Sequence, residues 1–271
     1  MKSILLHVSD DPCLEARVQV ALDLGRSFGA HVTFLQTIPF IYAVPVDLYG
    51  MSLANAMPQV RAAANELREL LEKRLENEDV AWDWVAVEGP ADARILSLVS
   101  TYDLLVMGGC DPYDVQNQRS SLAADMAVNA YTPVLVVPQA QEGLDCTKPA
   151  IVAWDGSPES SRALRAAAPV LQRAREVTLI SVEEDHGGNT FDLPATSGAE
   201  YLSRNGIESE IVRVQRGDLD TAECIVTAAQ ERGASIVVMG AYGHLRVRES
   251  LLGGVTKDML TDPALPLLMH H

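Results

Sequence analysis

Tyr102-Asp-Leu-Leu-Val-Met-Gly-Gly109 and Ala234-Ser-Ile-Val-Val-Met-Gly-Ala241 are the two stretches on which the fold turns. Each is a short, nearly all-apolar run that ends in glycine. Continuous rather than alternating apolarity marks strands buried on both faces, as in a parallel sheet covered by helices. Similar runs surround both. In the first half they are Ser3–Val8, His31–Thr37, Trp82–Val87 and Pro133–Val137. In the second half they are Ala150–Trp154, Glu176–Val182, Ile207–Val214 and Pro266–Met269.

Helical spacing fills the gaps between these runs. Leu14–Phe28 places Val18, Ala21, Leu22 and Gly25 on one stripe, and Glu159–Arg173 does so with Ala163, Ala166, Ala167, Val170 and Leu171. Further helices are expected over Val60–Glu76, Ala91–Ser100, Ala195–Asn205, Leu219–Arg232 and Gly254–Thr261. Strands and helices alternating at this pitch imply right-handed βαβ units. The expected class is therefore α/β, with two tandem doubly wound domains of five parallel strands. The halves divide in the polar, breaker-rich Pro138–Pro149, giving domains of 1–140 and 149–271. Pro39–Pro58, rich in Tyr, Met, Leu and Pro, is extra to the first half and reads as a surface excursion over one sheet edge.

Composition narrows the function. The 271 residues are 48% apolar and 21% charged, with no apolar run long enough to cross a bilayer. The start resembles a signal peptide until Asp10 and Asp11 interrupt it, so a cytoplasmic location is expected. A formal net charge of −16 disfavours nucleic acid as a partner. Cys13, Cys110, Cys146 and Cys224 are far apart with no C-x-x-C spacing, which argues against a zinc site or disulfide framework and fits reduced thiols.

Beyond the strand at 235–239 the chain reads Gly240-Ala-Tyr-Gly243, nine residues, then Gly253-Gly254-Val-Thr256. In open α/β sheets ligands sit beyond the carboxyl ends of strands. Glycines there admit an anion close to backbone N–H groups, and the N-terminus of the following helix favours phosphate. Between Gly240 and Lys257 three cations (Arg246, Arg248, Lys257) face one anion (Glu249). In the matching stretch Gly108–Asp125, Arg119 faces Asp111, Asp114 and Asp125.

The G-x-x-G, nine residues, G spacing is similar to the nucleotide-binding signature of the universal stress protein family, whose fold is adenine nucleotide α-hydrolase-like. The resemblance implies that Asp155, at the end of the strand Ile151-Val-Ala-Trp, holds the adenosine, and that Val182 lies by the adenine. With Gly240, Gly243, Gly253, Gly254 and Thr256 they form the expected site for ATP, or for ADP or AMP, with Mg²⁺ as counter-ion. Gly254 departs from the signature, which has Ser or Thr there; Thr256 is the candidate replacement.

In the first half, Ser9 stands at the position of Asp155, Asp111 at that of Gly243, and Ser120-Ser121 at those of Gly253-Gly254. That half is expected not to bind nucleotide in the same way. The resemblance further implies a stress-response regulatory role and halves packed as a pseudo-dimer through their last strands, with an unknown protein partner and further homodimerisation. P-loop, Rossmann and nucleophile-elbow motifs are missing, as is a metal-ligand cluster. No general base stands out, so catalysis is expected to be absent or limited to slow ATP hydrolysis. The competing functions are an interaction scaffold that binds no nucleotide, and a weak ATPase or nucleotidyl-transfer enzyme. His7, on a buried strand, is expected to be a satisfied core residue.

Overall fold

The computed structural model describes residues 1–39, 51–110, 121–183, 194–242, 254–261 and 263–271. Among these residues ten strands form one sheet. In the first half these are β1 (Ser3–Val8), β2 (His31–Ile38), β3 (Trp82–Glu88), β4 (Leu104–Gly108) and β5 (Val134–Val137). In the second half they are β6 (Ala150–Ala153), β7 (Val177–Glu183), β8 (Glu210–Gln215), β9 (Ile236–Gly240) and β10 (Leu267–His270). Their order is β3-β2-β1-β4-β5-β10-β9-β6-β7-β8. Every pairing is parallel except β5 with β10, where Leu135 opposes Leu268 and Val136 opposes Leu267. The last strands of the two halves thus meet, the joint that the resemblance implies.

The helices cover both faces, as all-apolar strands require. One face is packed by α1 (Leu14–Phe28), α2 (Met51–Leu75), α5 (Pro158–Leu171) and α6 (Pro194–Arg204). Leu22, Leu24, Leu71, Leu164 and Leu202 lie there in a core cluster with Phe34 and Trp154. The other face carries α3 (Ala91–Leu98), α4 (Ser121–Asn129), α7 (Thr221–Glu231) and α8 (Gly254–Thr261), with Ile95, Met126, Ile225 and Met259 in the second core cluster.

Local chemistry explains the boundaries. Gly29 ends α1 in a left-handed conformation at φ 55°. Ser157 caps α5, its hydroxyl accepting the Ser160 N–H at 3.1 Å, with Pro158 at the first helical position. Asp220 and Glu223 close a reciprocal capping box on α7.

Three expectations need correction. Helix α2 begins at Met51 rather than Val60 and continues through Pro58. Most of the excursion assigned to Pro39–Pro58 lies outside the described residues. Helix α4 was not expected; its Ala-rich turns lack charges spaced to mark a surface face. Cys13 and Cys110 form a disulfide with Cα atoms 6.1 Å apart, so the expectation of unpaired thiols fails for this pair. Sequence separation of 97 residues hid the pairing, because only the sheet brings the start of α1 beside the end of β4. Cys146 and Cys224 are free and buried.

Candidate functional site

In the second half β6 is flanked by β7 on one side and β9 on the other, all parallel. The crevice between β6 and β9 is where strand order reverses, the usual ligand position in such sheets. Register places Ala153 opposite Ile180 and Val152 opposite Val238. Asp155, Val182 and Gly240 therefore leave the sheet along the same carboxyl rim.

The rim is built tightly. Asp155 is exposed, and its Oδ1 accepts the Ser157 N–H at 2.9 Å across a turn in which Gly156 takes φ 75°. Trp154 is tied to β7 twice: its N–H donates to the Ile180 carbonyl at 2.8 Å, and its carbonyl accepts the Ser181 hydroxyl at 2.8 Å. Gly240 faces the backbone at the start of α5. A Cβ there would lie 2.6 Å from the Ser160 nitrogen and 2.8 Å from the Glu159 carbonyl carbon. Only glycine fits without moving a helix. Gly240→Ala is accordingly expected to destabilise the fold by about 1–3 kcal/mol, seen as a lowered thermal midpoint.

After Gly240 the Ala241 N–H donates to the His270 carbonyl at 3.0 Å. Tyr242 then adopts φ 56°, left-handed for a non-glycine residue, and its N–H donates to Thr256 Oγ1 at 3.2 Å. Thr256 is 5% exposed and so anchors the loop to α8. The Tyr242 hydroxyl is buried without a hydrogen-bond partner among the described residues, and burial, followed by the charge of Asp125, pushes it up to about 12. Gly254, at the first turn of α8, is exposed, and among the described residues a Cβ there would meet only Asp258 Oδ2 at 3.8 Å. Gly243 and Gly253 lie outside the described residues, as do His244, Arg246 and Arg248. The structure thus brings Asp155, Val182, Gly240, Gly254 and Thr256 to one rim.

The corresponding rim of the first half is filled. Gly108 stands where Gly240 does, but a Cβ on it would lie 2.5 Å from Arg17 Nη1 and 2.7 Å from Cys13 Cβ. Arg17 is 1% exposed; it donates to Asp11 Oδ1 at 2.7 Å and to the Ser9 carbonyl at 2.6 Å. Its counterpart in the second half is Ala163. Sequence reasoning passed over Arg17, although an arginine on the apolar stripe of α1 was the available signal. His7, 4% exposed, pairs Nε2 with Thr37 Oγ1 at 3.0 Å, as expected of a core histidine.

A cavity of about 360 Å³ lies elsewhere, between α7 and α8 at the amino ends of β9 and β10, lined by Leu219, Val226, Met259 and Leu265 among others. It is remote from the rim and brings no basic side chain. Among the described residues no group of His, Cys, Asp or Glu could hold a metal ion, and no helix is long and apolar enough to cross a membrane.

Comparison with known proteins agrees with this architecture. None of the curated proteins matches the sequence. Among solved structures, a universal stress protein from Archaeoglobus fulgidus DSM 4304 is similar over 99% of this chain and 95% of its own, with TM-score 0.75 and 18% identity. A putative universal stress protein from Pseudomonas aeruginosa UCBPP-PA14 is similar over 99% and 92%, with TM-score 0.59 and 14% identity. At these identities the likeness is one of fold. The sequence profile of the universal stress protein family matches residues 1–138 and again 147–271. The chain therefore belongs to the universal stress protein family, as two tandem copies of its fold.

Proposed function

We propose that this protein is a stress-response regulator that binds an adenine nucleotide, ATP or its ADP or AMP forms, at the carboxyl rim of the second domain. The observation that carries the reading is the Gly240 junction: a loop that leaves β9 only where no Cβ fits, pinned by Thr256 to a helix N-terminus open at Gly254. In this reading Asp155 and Val182 hold the adenosine, and Gly240, Gly243, Gly253, Gly254 and Thr256 make up the phosphate-binding loop, with Gly240 setting where it leaves β9. Mg²⁺, when bound with ATP, would neutralise phosphate charge. The domains of the reading are 1–140 and 149–271, and the first does not bind nucleotide in the same way, since the Arg17–Asp11 pair and the disulfide fill the equivalent space.

The test uses Gly254→Asp. A carboxylate at the first turn of α8 gains about 0.3–1 kcal/mol from the helix dipole, offset in part by repulsion from Asp258 one turn on, so the fold is retained. The same carboxylate repels phosphate, and calorimetric ATP affinity should fall about tenfold or more, ~1.4 kcal/mol. Gly254→Ser, which restores the hydroxyl of the family signature, should bind at least as tightly as the wild type. If the denatured wild-type protein releases no nucleotide and shows no calorimetric signal with millimolar ATP, the reading is wrong.

A further inference from the structure

We propose that the first half carries a thiol–disulfide exchange site, formed by Cys13 and Cys110 at the rim where the second half has its glycine loop, and that it reacts with low-molecular-weight disulfides and thiols. The two sulfurs are not equivalent. Cys13 is 0% exposed at the start of α1, whereas Cys110 is half-buried and ends the turn that leaves β4. Cys110 is the more exposed of the two, so in this proposal an external thiolate attacks its sulfur and Cys13 is the leaving group.

Its surroundings suit that role. The Arg17 guanidinium lies against Gly108 beside Cys13, and its Nε–H is buried with no acceptor among the described residues. Asp11 opposes it, accepting both the Arg17 Nη1–H at 2.7 Å and the Cys13 N–H at 2.8 Å, so its negative charge is already compensated. A thiolate released at Cys13 lies at a helix N-terminus beside a charge-balanced Arg17–Asp11 pair, so no unpaired negative charge opposes it there. Cys146 and Cys224 have no sulfur partner and stay outside the exchange.

Formation of the disulfide balances as follows. The Cys110 thiolate attacks an external disulfide, forming a mixed disulfide and expelling one thiolate. The Cys13 thiolate then attacks the Cys110 sulfur and expels the second. Two electrons pass to the external disulfide, whose two thiolates take up the two protons lost by the cysteines. Reduction is the reverse.

The experiment equilibrates the folded full-length protein in mixtures of reduced and oxidised glutathione, quenches exchange with acid, traps free thiols with a maleimide in denaturant and maps them by mass spectrometry. Two thiols, on Cys13 and Cys110, should appear and disappear reversibly with circular dichroism unchanged. Cys13→Ser should leave Cys110 as a stable glutathione adduct, formed about tenfold or more faster than any adduct of Cys110→Ser, because burial limits access to Cys13. The proposal is overturned if the wild-type pair stays alkylatable in every mixture, if it resists reduction until the protein unfolds, or if both variants are glutathionylated equally fast. None of these readouts involves nucleotide.

Discussion

Arg17→Met is expected to lower the free energy of unfolding by about 3–5 kcal/mol, the cost of leaving one partner of a buried ion pair alone. Arg17 and Asp11 side chains are only 1% and 2% exposed. The methionine occupies much of the space of the arginine stem, so the loss comes from the stranded Asp11 carboxylate and the freed Ser9 carbonyl rather than from a cavity. Urea unfolding followed by circular dichroism measures it as a lowered midpoint. Asp11→Asn combined with Arg17→Met should recover most of the loss, because no uncompensated charge then remains. If the double variant is as unstable as the single one, the ion pair is not the source.

Acidification should act through His7. Burial, and behind it the charge of Arg17, lowers the imidazole to about 3. In the unfolded chain a histidine takes its proton near pH ~6.5. Between these values the unfolded state binds a proton that the native state refuses, so its share of stability is complete above pH ~6.5 and falls as pH drops, by up to ~1.4 kcal/mol per unit. Half-buried His270, also lowered by desolvation, acts in the same direction. The carboxylates of Glu78 and Asp103 are held low by Arg74 and by the backbone N–H of Lys2 respectively, and lose their contribution only in stronger acid. The interval from pH ~6.5 to ~4.5 therefore belongs to the histidines. His7→Gln keeps an amide able to reach Thr37 and should flatten the pH dependence there by about one proton equivalent. An unchanged slope in urea midpoints across that interval would assign the acid sensitivity elsewhere.

Architecture was readable wherever apolar runs were continuous. All ten strands were located: two-sided burial leaves an all-apolar signature in strands such as Leu104–Gly108 and Ile236–Gly240, while the edge strands β3 and β8 are only partly buried and carry polar residues between their apolar ones. Helices with a polar face were readable by their stripe. Helix α4 was not, since Ala123, Met126 and Ala127 bury a face without a charged face to contrast with it. The site divides similarly. Glycine spacing marked the loop, but the function of Gly240 as contact with the backbone of α5 depends on a helix met eighty residues earlier in the chain. The hydrogen bond from Tyr242 to Thr256 gives that hydroxyl a scaffolding role that no spacing rule contains. The disulfide and the Arg17–Asp11 pair escaped for different reasons: the pair is local, six residues apart, and was signalled by an arginine on the apolar stripe of α1. The disulfide depends on which strand ends become neighbours in the order β2-β1-β4, and a linear pattern does not state that order.

The single antiparallel pairing, β5 against β10, fixes how far the two halves can influence each other. It reverses the strand direction of one half relative to the other, so their carboxyl ends open at opposite edges of the sheet. The disulfide, at the end of β4, and the Gly240–Tyr242 turn, at the end of β9, accordingly lie at opposite edges. Changes made at the two edges should therefore add in free energy, as two independent channels of response within one rigid sheet.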